Sequence, residues 1–60
     1  MSNLNQMEIN AIRECVSNNI TISSKLSCYA TKACDTELKE MFKSSGIKAE
    51  QLAQKLIQLL

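Results

Sequence analysis

The sequence predicts an all-α protein, an antiparallel two-helix hairpin that pairs with a second copy into a four-helix bundle. Its 60 residues include one Gly and no Pro, too few turn-forming residues for a small β fold. Apolar and small residues recur at alternating steps of three and four along two stretches of similar length, which is the helical heptad pattern. A chain this short buries only about 60% of its unfolded surface, so a partner is expected to complete its core.

The first helix is predicted over residues 6–33. Asn5 is a suitable N-cap, Glu8 completes a capping box, and Leu4 and Ile9 can form a hydrophobic staple. The positions predicted to face the second helix are Ile9, Ile12, Val16, Asn19, Ser23, Leu26, Ala30 and Ala33. A second stripe with a seven-residue repeat lies beside them at Cys15, Ile22 and Tyr29. Together they make an apolar face wider than a two-stranded coiled coil requires.

A turn at 34–35 and a second helix over 36–59 complete the single domain predicted for residues 1–60. Asp35 is a good N-cap, and Glu37 in the first turn suits the helix dipole. The predicted inward positions are Leu38, Phe42, Ser45, Ala49, Leu52, Leu56 and Leu59, flanked by Gly46, Ala53 and Leu60. A turn here places Ser23 opposite Gly46. Because neither Gly nor Pro marks the turn, one continuous helix is the alternative.

A two-helix hairpin cannot cover so wide an apolar face, and the simplest partner is a second copy. The residues predicted to form the core and the dimer interface are Ile9, Ile12, Val16, Ile22, Leu26, Tyr29, Leu38, Phe42, Gly46, Ala49, Leu52, Ala53, Leu56 and Leu59. Gly46 is either a point of close helix approach or an ordinary tolerated glycine. The sequence predicts a homodimer.

Charge and composition argue against several other functions. Seven basic and six acidic residues give a net charge of +1, and the basic residues are interspersed with acids, so neither nucleic acid nor membrane is an expected partner. The sequence has no His, which excludes a His-dependent triad and His-ligated di-iron chemistry. We expect no enzyme activity, cofactor or metal. The N-terminus has no secretory signal pattern, which predicts a cytoplasmic protein.

The three cysteines are the most reactive side chains. Cys15 and Cys28 lie thirteen residues apart on one helix, about 20 Å, so they cannot pair with each other. Their spacing matches no zinc pattern. They are interpreted as small apolar residues in a reduced cytosol, with intermolecular crosslinking through Cys28 and Cys34 as the alternative.

The chain from Met7 to Leu60 resembles the spore coat F-like proteins of endospore-forming Firmicutes. The matching segments are EINAIRECVS, YATKACDTELKEMF and AEQLAQKLIQLL. The family features lie at Tyr29, Asp35, Glu37 and Leu38. The resemblance implies a ferritin-like helical structural protein that dimerises and is laid down on the spore coat with other coat proteins. Many family members are longer, and the lack of His means that no iron chemistry carries over.

A second resemblance is weaker. The helical-hairpin aspartyl-phosphate phosphatases that regulate sporulation carry a Ser-Gln-Glu-Leu-Asp run on their second helix. The nearest stretch is Thr36-Glu37-Leu38-Lys39, which lacks the Gln and the final acid, so no catalytic role is assigned. The alternative function is therefore a small regulatory hairpin, phosphatase-like or adaptor, that docks its apolar face on a larger partner.

Overall fold

The computed structural model describes residues 3–60, and within this range the chain forms two α-helices and no strand. The first helix, α1, spans Gln6–Lys32, and the second, α2, spans Thr36–Ile57. They pack against each other as a hairpin about 46 Å long. This confirms the hairpin over the single continuous helix. Residues 1 and 2 of the predicted domain lie outside the described residues.

The predicted capping box starts α1. The Asn5 side chain accepts a hydrogen bond from the backbone N–H of Glu8 at 2.8 Å. The Glu8 carboxylate in turn accepts one from the backbone N–H of Asn5 at 3.0 Å. Two backbone N–H groups that have no partner within the helix thus gain hydrogen-bond acceptors. These bonds determine where α1 begins.

The turn consists of Ala33, Cys34 and Asp35, and it uses no left-handed residue. Ala33 and Asp35 both have extended backbone, with ψ of 132° and 125°. The Asp35 carboxylate accepts a hydrogen bond from the N–H of Leu38 at 2.8 Å and so begins α2. Because extended backbone suits any residue, the reversal needs neither Gly nor Pro.

The inward face of α1 lies where the heptad pattern predicts it. All eight positions from Ile9 to Ala33 are buried or half-buried. On and just after α2, the predicted inward positions Phe42, Ala49, Leu56 and Leu59 are half-buried, but the other predicted stripe is shifted by one residue. Gly46 and Ala53, expected at the flank, are buried, whereas Leu38, Ser45 and Leu52, expected inside, are exposed. Small residues let the helix axes approach, and leucines at the same positions would hold them apart.

Gly46 lies at a close approach of the two helices. A Cβ atom at this position would lie 3.4 Å from Cβ of Leu26 and 3.5 Å from the backbone oxygen of Ser23. Ser23 is therefore opposite Gly46, as the predicted turn requires. The glycine marks a close approach, and a methyl group added there would make ordinary van der Waals contact with α1.

Candidate interaction surface

The hairpin leaves a broad apolar surface on one side, which we call the open face. It consists of six exposed residues: Cys15, Ile22, Tyr29, Leu38, Ser45 and Leu52. The residues from α1 are spaced seven apart along one flank of that helix, and those from α2 are spaced seven apart along one flank of theirs. In an antiparallel pair these two flanks lie on the same side. Four large residues of this face, Ile22, Tyr29, Leu38 and Leu52, are each between 43% and 47% exposed.

Two aromatic rings link the open face to the interface between the helices. The ring centroids of Tyr29 and Phe42 are 5.7 Å apart and the rings are inclined at 55°. This distance and tilt are typical of a favourable aromatic pair. The Tyr29 ring thus packs against Phe42 on one side, and the rest of the ring is exposed.

The opposite side of the hairpin has a different character. A shallow groove there is lined by Ile20, Ser23, Ser24, Glu50, Ala53, Gln54 and Ile57. Apart from the two isoleucines its lining is small or polar. Of the exposed large apolar residues, four thus lie on the open face, and two, Ile20 and Ile57, line this groove.

Four lysines border the open face, and we call them the lysine rim: Lys25, Lys32, Lys48 and Lys55. Helical spacing places each of them beside an open-face stripe, three or four residues from Ile22, Tyr29 or Leu52. The acidic residues lie elsewhere, at the turn, on the outer flanks and on the groove side, except Glu8 at the far end. The open face is thus apolar in the middle and positive at its edges.

The cysteines point in different directions. Cys15 belongs to the open face, Cys28 lies on the outer flank of α1, and Cys34 lies in the turn. All three are free and exposed. Their thiols can therefore report separately on the open face, the outer flank and the end of the hairpin.

Residues 3–60 contain no group of three or more His, Cys, Asp or Glu side chains placed to hold a metal ion. The one ion pair among them, Glu40 with Lys43 at 4.0 Å, is exposed and contributes little to stability. Asn19, a polar residue at the helix interface, donates to the carbonyl of Cys15 at 2.7 Å.

Neither helix in the described part of the chain has the length and apolarity needed to cross a membrane. This result concerns spanning segments alone.

The predicted interface residues fall into two groups in the structure. Those between the two helices are Ile9, Ile12, Val16, Leu26, Phe42, Gly46, Ala49, Ala53, Leu56 and Leu59. Those directed away from the second helix are Ile22, Tyr29, Leu38 and Leu52. The sequence pattern did not single out the lysine rim, although its seven-residue spacing, 25 to 32 and 48 to 55, was readable.

Comparison with known proteins adds no relative. The chain matches no family model, no curated protein and no solved structure. The resemblance to spore coat F-like proteins rests on the quoted segments and stays a prediction. The surface of the hairpin is therefore the basis for assigning a function.

Proposed function

We propose that the chain is a non-enzymatic structural module that self-associates, with the open faces of two copies packing into a homodimeric four-helix bundle. The observation that carries this proposal is the division of apolar residues. The hydrophobic residues buried within 3–60 are Ile12, Ala30 and Ala53, two of them alanines. Four larger apolar side chains that would contribute more to a core, Ile22, Tyr29, Leu38 and Leu52, lie about half exposed on the open face.

The surface area of the hairpin supports the same proposal. Its accessible surface is 4697 Å². A compact monomer of 6.7 kDa exposes about 3,900 Å². The excess is comparable to the roughly 800 Å² that each partner loses in a protein interface of standard size. Pairing through the open face would remove about the surface that the hairpin leaves uncovered.

The experiment is light scattering after size exclusion, with and without reductant, on the wild type and two matched variants. Ile22→Glu adds a charge to the open face, and Ile47→Glu adds one to the outer surface of α2, where Ile47 is comparably exposed. We expect a reductant-independent wild-type dimer and a dissociation constant raised at least about 100-fold by Ile22→Glu, because an unpaired charge would be buried. Ile47→Glu should dimerise like the wild type.

Two results would contradict the proposal. A wild-type monomer at micromolar concentration would show that the open face does not bind a second copy. Equal weakening by both glutamates would show that the interface is not the open face. Larger species that collapse to dimers on reduction would add crosslinking through Cys28 and Cys34 to the proposal.

The resemblance supports a finer proposal about location, namely that the dimer assembles in the spore coat with other coat proteins. Its test is immunodetection in purified spores fractionated into coat and core. Presence in the coat fraction is expected. Absence from spores would overturn the location and leave self-association unaffected.

The lysine rim favours a second candidate, the regulatory hairpin that docks on a larger partner. A positive border around an apolar face is complementary to an acidic amphipathic helix. On this alternative the hairpin alone is monomeric, and its binding to an acidic helical peptide weakens as salt is raised. The same light-scattering measurement separates the two candidates.

A further inference from the structure

A second concavity follows the groove toward the turn, on the side of the hairpin away from the open face. Ser27 in its lining lies seven residues after Ile20 of the groove, and Lys43 lies seven residues before Glu50. Residues seven apart share one flank of a helix. A dimer formed through the open face therefore leaves this concavity accessible to a ligand.

Ammonium and hydroxyl groups border this concavity, and none of its lining residues is acidic. The lining residues are Ser27, Ala30, Thr31, Lys39 and Lys43. The Ser27 side chain is directed toward α2, since its Oγ lies 3.8 Å from the position of a Cβ atom on Gly46. The Thr31 hydroxyl donates to the carbonyl of Cys28 at 2.7 Å. The two lysines and Ser27 are thus the groups that can donate to a ligand.

Lys39 occupies an inward position of α2, where an apolar residue would pack best. It lies seven residues before Gly46, is level with the buried Ala30, and is itself half-buried. Within residues 3–60 the one ion pair joins Glu40 to Lys43, so the Lys39 ammonium is paired with no carboxylate there. A half-buried charge is less well hydrated than an exposed one and gains more from an anion. Such departures from the apolar pattern are typical of functional positions.

The second lysine adds to the demand for an anion. Lys43 lies about one helical turn after Lys39, and like charges at this spacing repel each other. An anion between the two ammonium groups removes this repulsion and supplies the partner that Lys39 lacks. The pair of Lys43 with Glu40 is exposed and long, at 4.0 Å, so it competes weakly. Ammonium and hydroxyl donors together match the several acceptor oxygens of a phosphate group.

We propose that this concavity binds a phosphate group, held by the ammonium groups of Lys39 and Lys43 and by the hydroxyl of Ser27. The ligand is a small anion, either inorganic phosphate or a phosphate monoester. Because its contacts come from both helices, bound phosphate joins α1 to α2 beside the turn and stabilises the native hairpin. The site is separate from the open face and goes beyond the proposed self-association.

The test is a titration with inorganic phosphate and, separately, with glycerol phosphate, followed by amide chemical shifts in two-dimensional NMR. Sodium chloride at matched ionic strength is the reference. We expect saturable shifts centred on the lining residues. Lys39→Met keeps the apolar stem and removes the charge, and Lys43→Met does the same at an exposed position. Each variant should raise the Kd about tenfold, because a charge-assisted hydrogen bond is lost.

Arg13→Met is the matched control. It removes one positive charge from the same flank of α1, fourteen residues from Ser27, or about 21 Å away. Its Kd should equal that of the wild type. Saturable binding of either compound with this pattern supports the site, and the lower Kd distinguishes free phosphate from an ester. Shifts that do not saturate, that match those in chloride, or that weaken equally in Arg13→Met would overturn the proposal. None of these results bears on self-association.

Discussion

Gly46 is the residue at which side-chain size matters most for the hairpin. Its missing Cβ allows the two helices to approach to van der Waals contact with Leu26 and Ser23. Glycine also lowers helix stability by about 1 kcal/mol relative to alanine. The space beside Gly46 admits a methyl group at ordinary van der Waals distance, so the close approach does not require glycine itself.

Gly46→Ala should therefore stabilise the protein by about 0.5–1 kcal/mol, since it gains helix propensity without a clash. Gly46→Leu should destabilise it by about 1–3 kcal/mol, because the larger side chain forces the helices apart. Urea unfolding at one fixed protein concentration measures both. Ser44→Leu, on the exposed side of α2, is the size-matched control. A destabilised Gly46→Ala would mean that the helices are closer than described.

Cys15 and Cys28 differ in which surface they occupy, so they should differ in reactivity once the open face is covered. We expect self-association to slow alkylation of Cys15 by about 10-fold or more, because its thiol becomes inaccessible. Cys28, on the outer flank of α1, should react at an unchanged rate. Iodoacetamide labelling followed by peptide mass spectrometry at low and high protein concentration checks this. Equal rates throughout would contradict the assignment of the open face.

At the scale of the elements, each helix starts at a side-chain cap whose hydrogen bonds are short. Asn5 with Glu8 begins α1, and Asp35 begins α2 directly after the turn. Packing of the inward faces supplies most of the stability of the helices, as in most proteins, but the caps decide where they begin. The Asp35 cap also ends the path of a continuous helix, which the apolar spacing alone would permit.

Asp35→Ala should destabilise the hairpin by about 1 kcal/mol, because the N–H of Leu38 loses its acceptor. Asp35→Asn keeps an acceptor at the same position and should stay within a few tenths of a kcal/mol of the wild type. Thermal unfolding followed by circular dichroism compares the two variants. If Asn were as destabilising as Ala, the charge of Asp35 would matter more than its hydrogen bond.

At the scale of the whole molecule, the important feature is how apolar residues divide between the interface of the two helices and the open face. Two helices that bury mainly small residues leave Ile22, Tyr29, Leu38 and Leu52 about half exposed. In the proposed homodimer, a second copy covers this surface. Folding and association are therefore expected to be coupled.

The midpoint of thermal unfolding should accordingly rise with protein concentration, because association with the native state stabilises it by mass action. Circular dichroism melts over a 100-fold concentration range measure the dependence. Ile22→Glu should melt at a lower temperature that does not change with concentration. A concentration-independent wild type would contradict coupled folding and association.

The sequence by itself determined the helices, the caps at Asn5 and Asp35, and the inward stripe of α1. These follow from local hydrogen bonding and from a repeat that is regular over eight positions. The register of Ser23 opposite Gly46 followed from the length of the turn. Because a second apolar stripe lies beside the inward one, the pattern also indicated more apolar surface than two helices can cover.

Only the tertiary structure decided which stripe of α2 faces α1. Two stripes one residue apart, Leu38–Ser45–Leu52 and Gly46–Ala53, are both compatible with a heptad. The choice depends on how closely the helices can approach, which is a property of the pair rather than of either helix. Since Gly46 and Ala53 permit the closer contact, they turn inward, and this rotation places the leucines on the open face beside Ile22 and Tyr29.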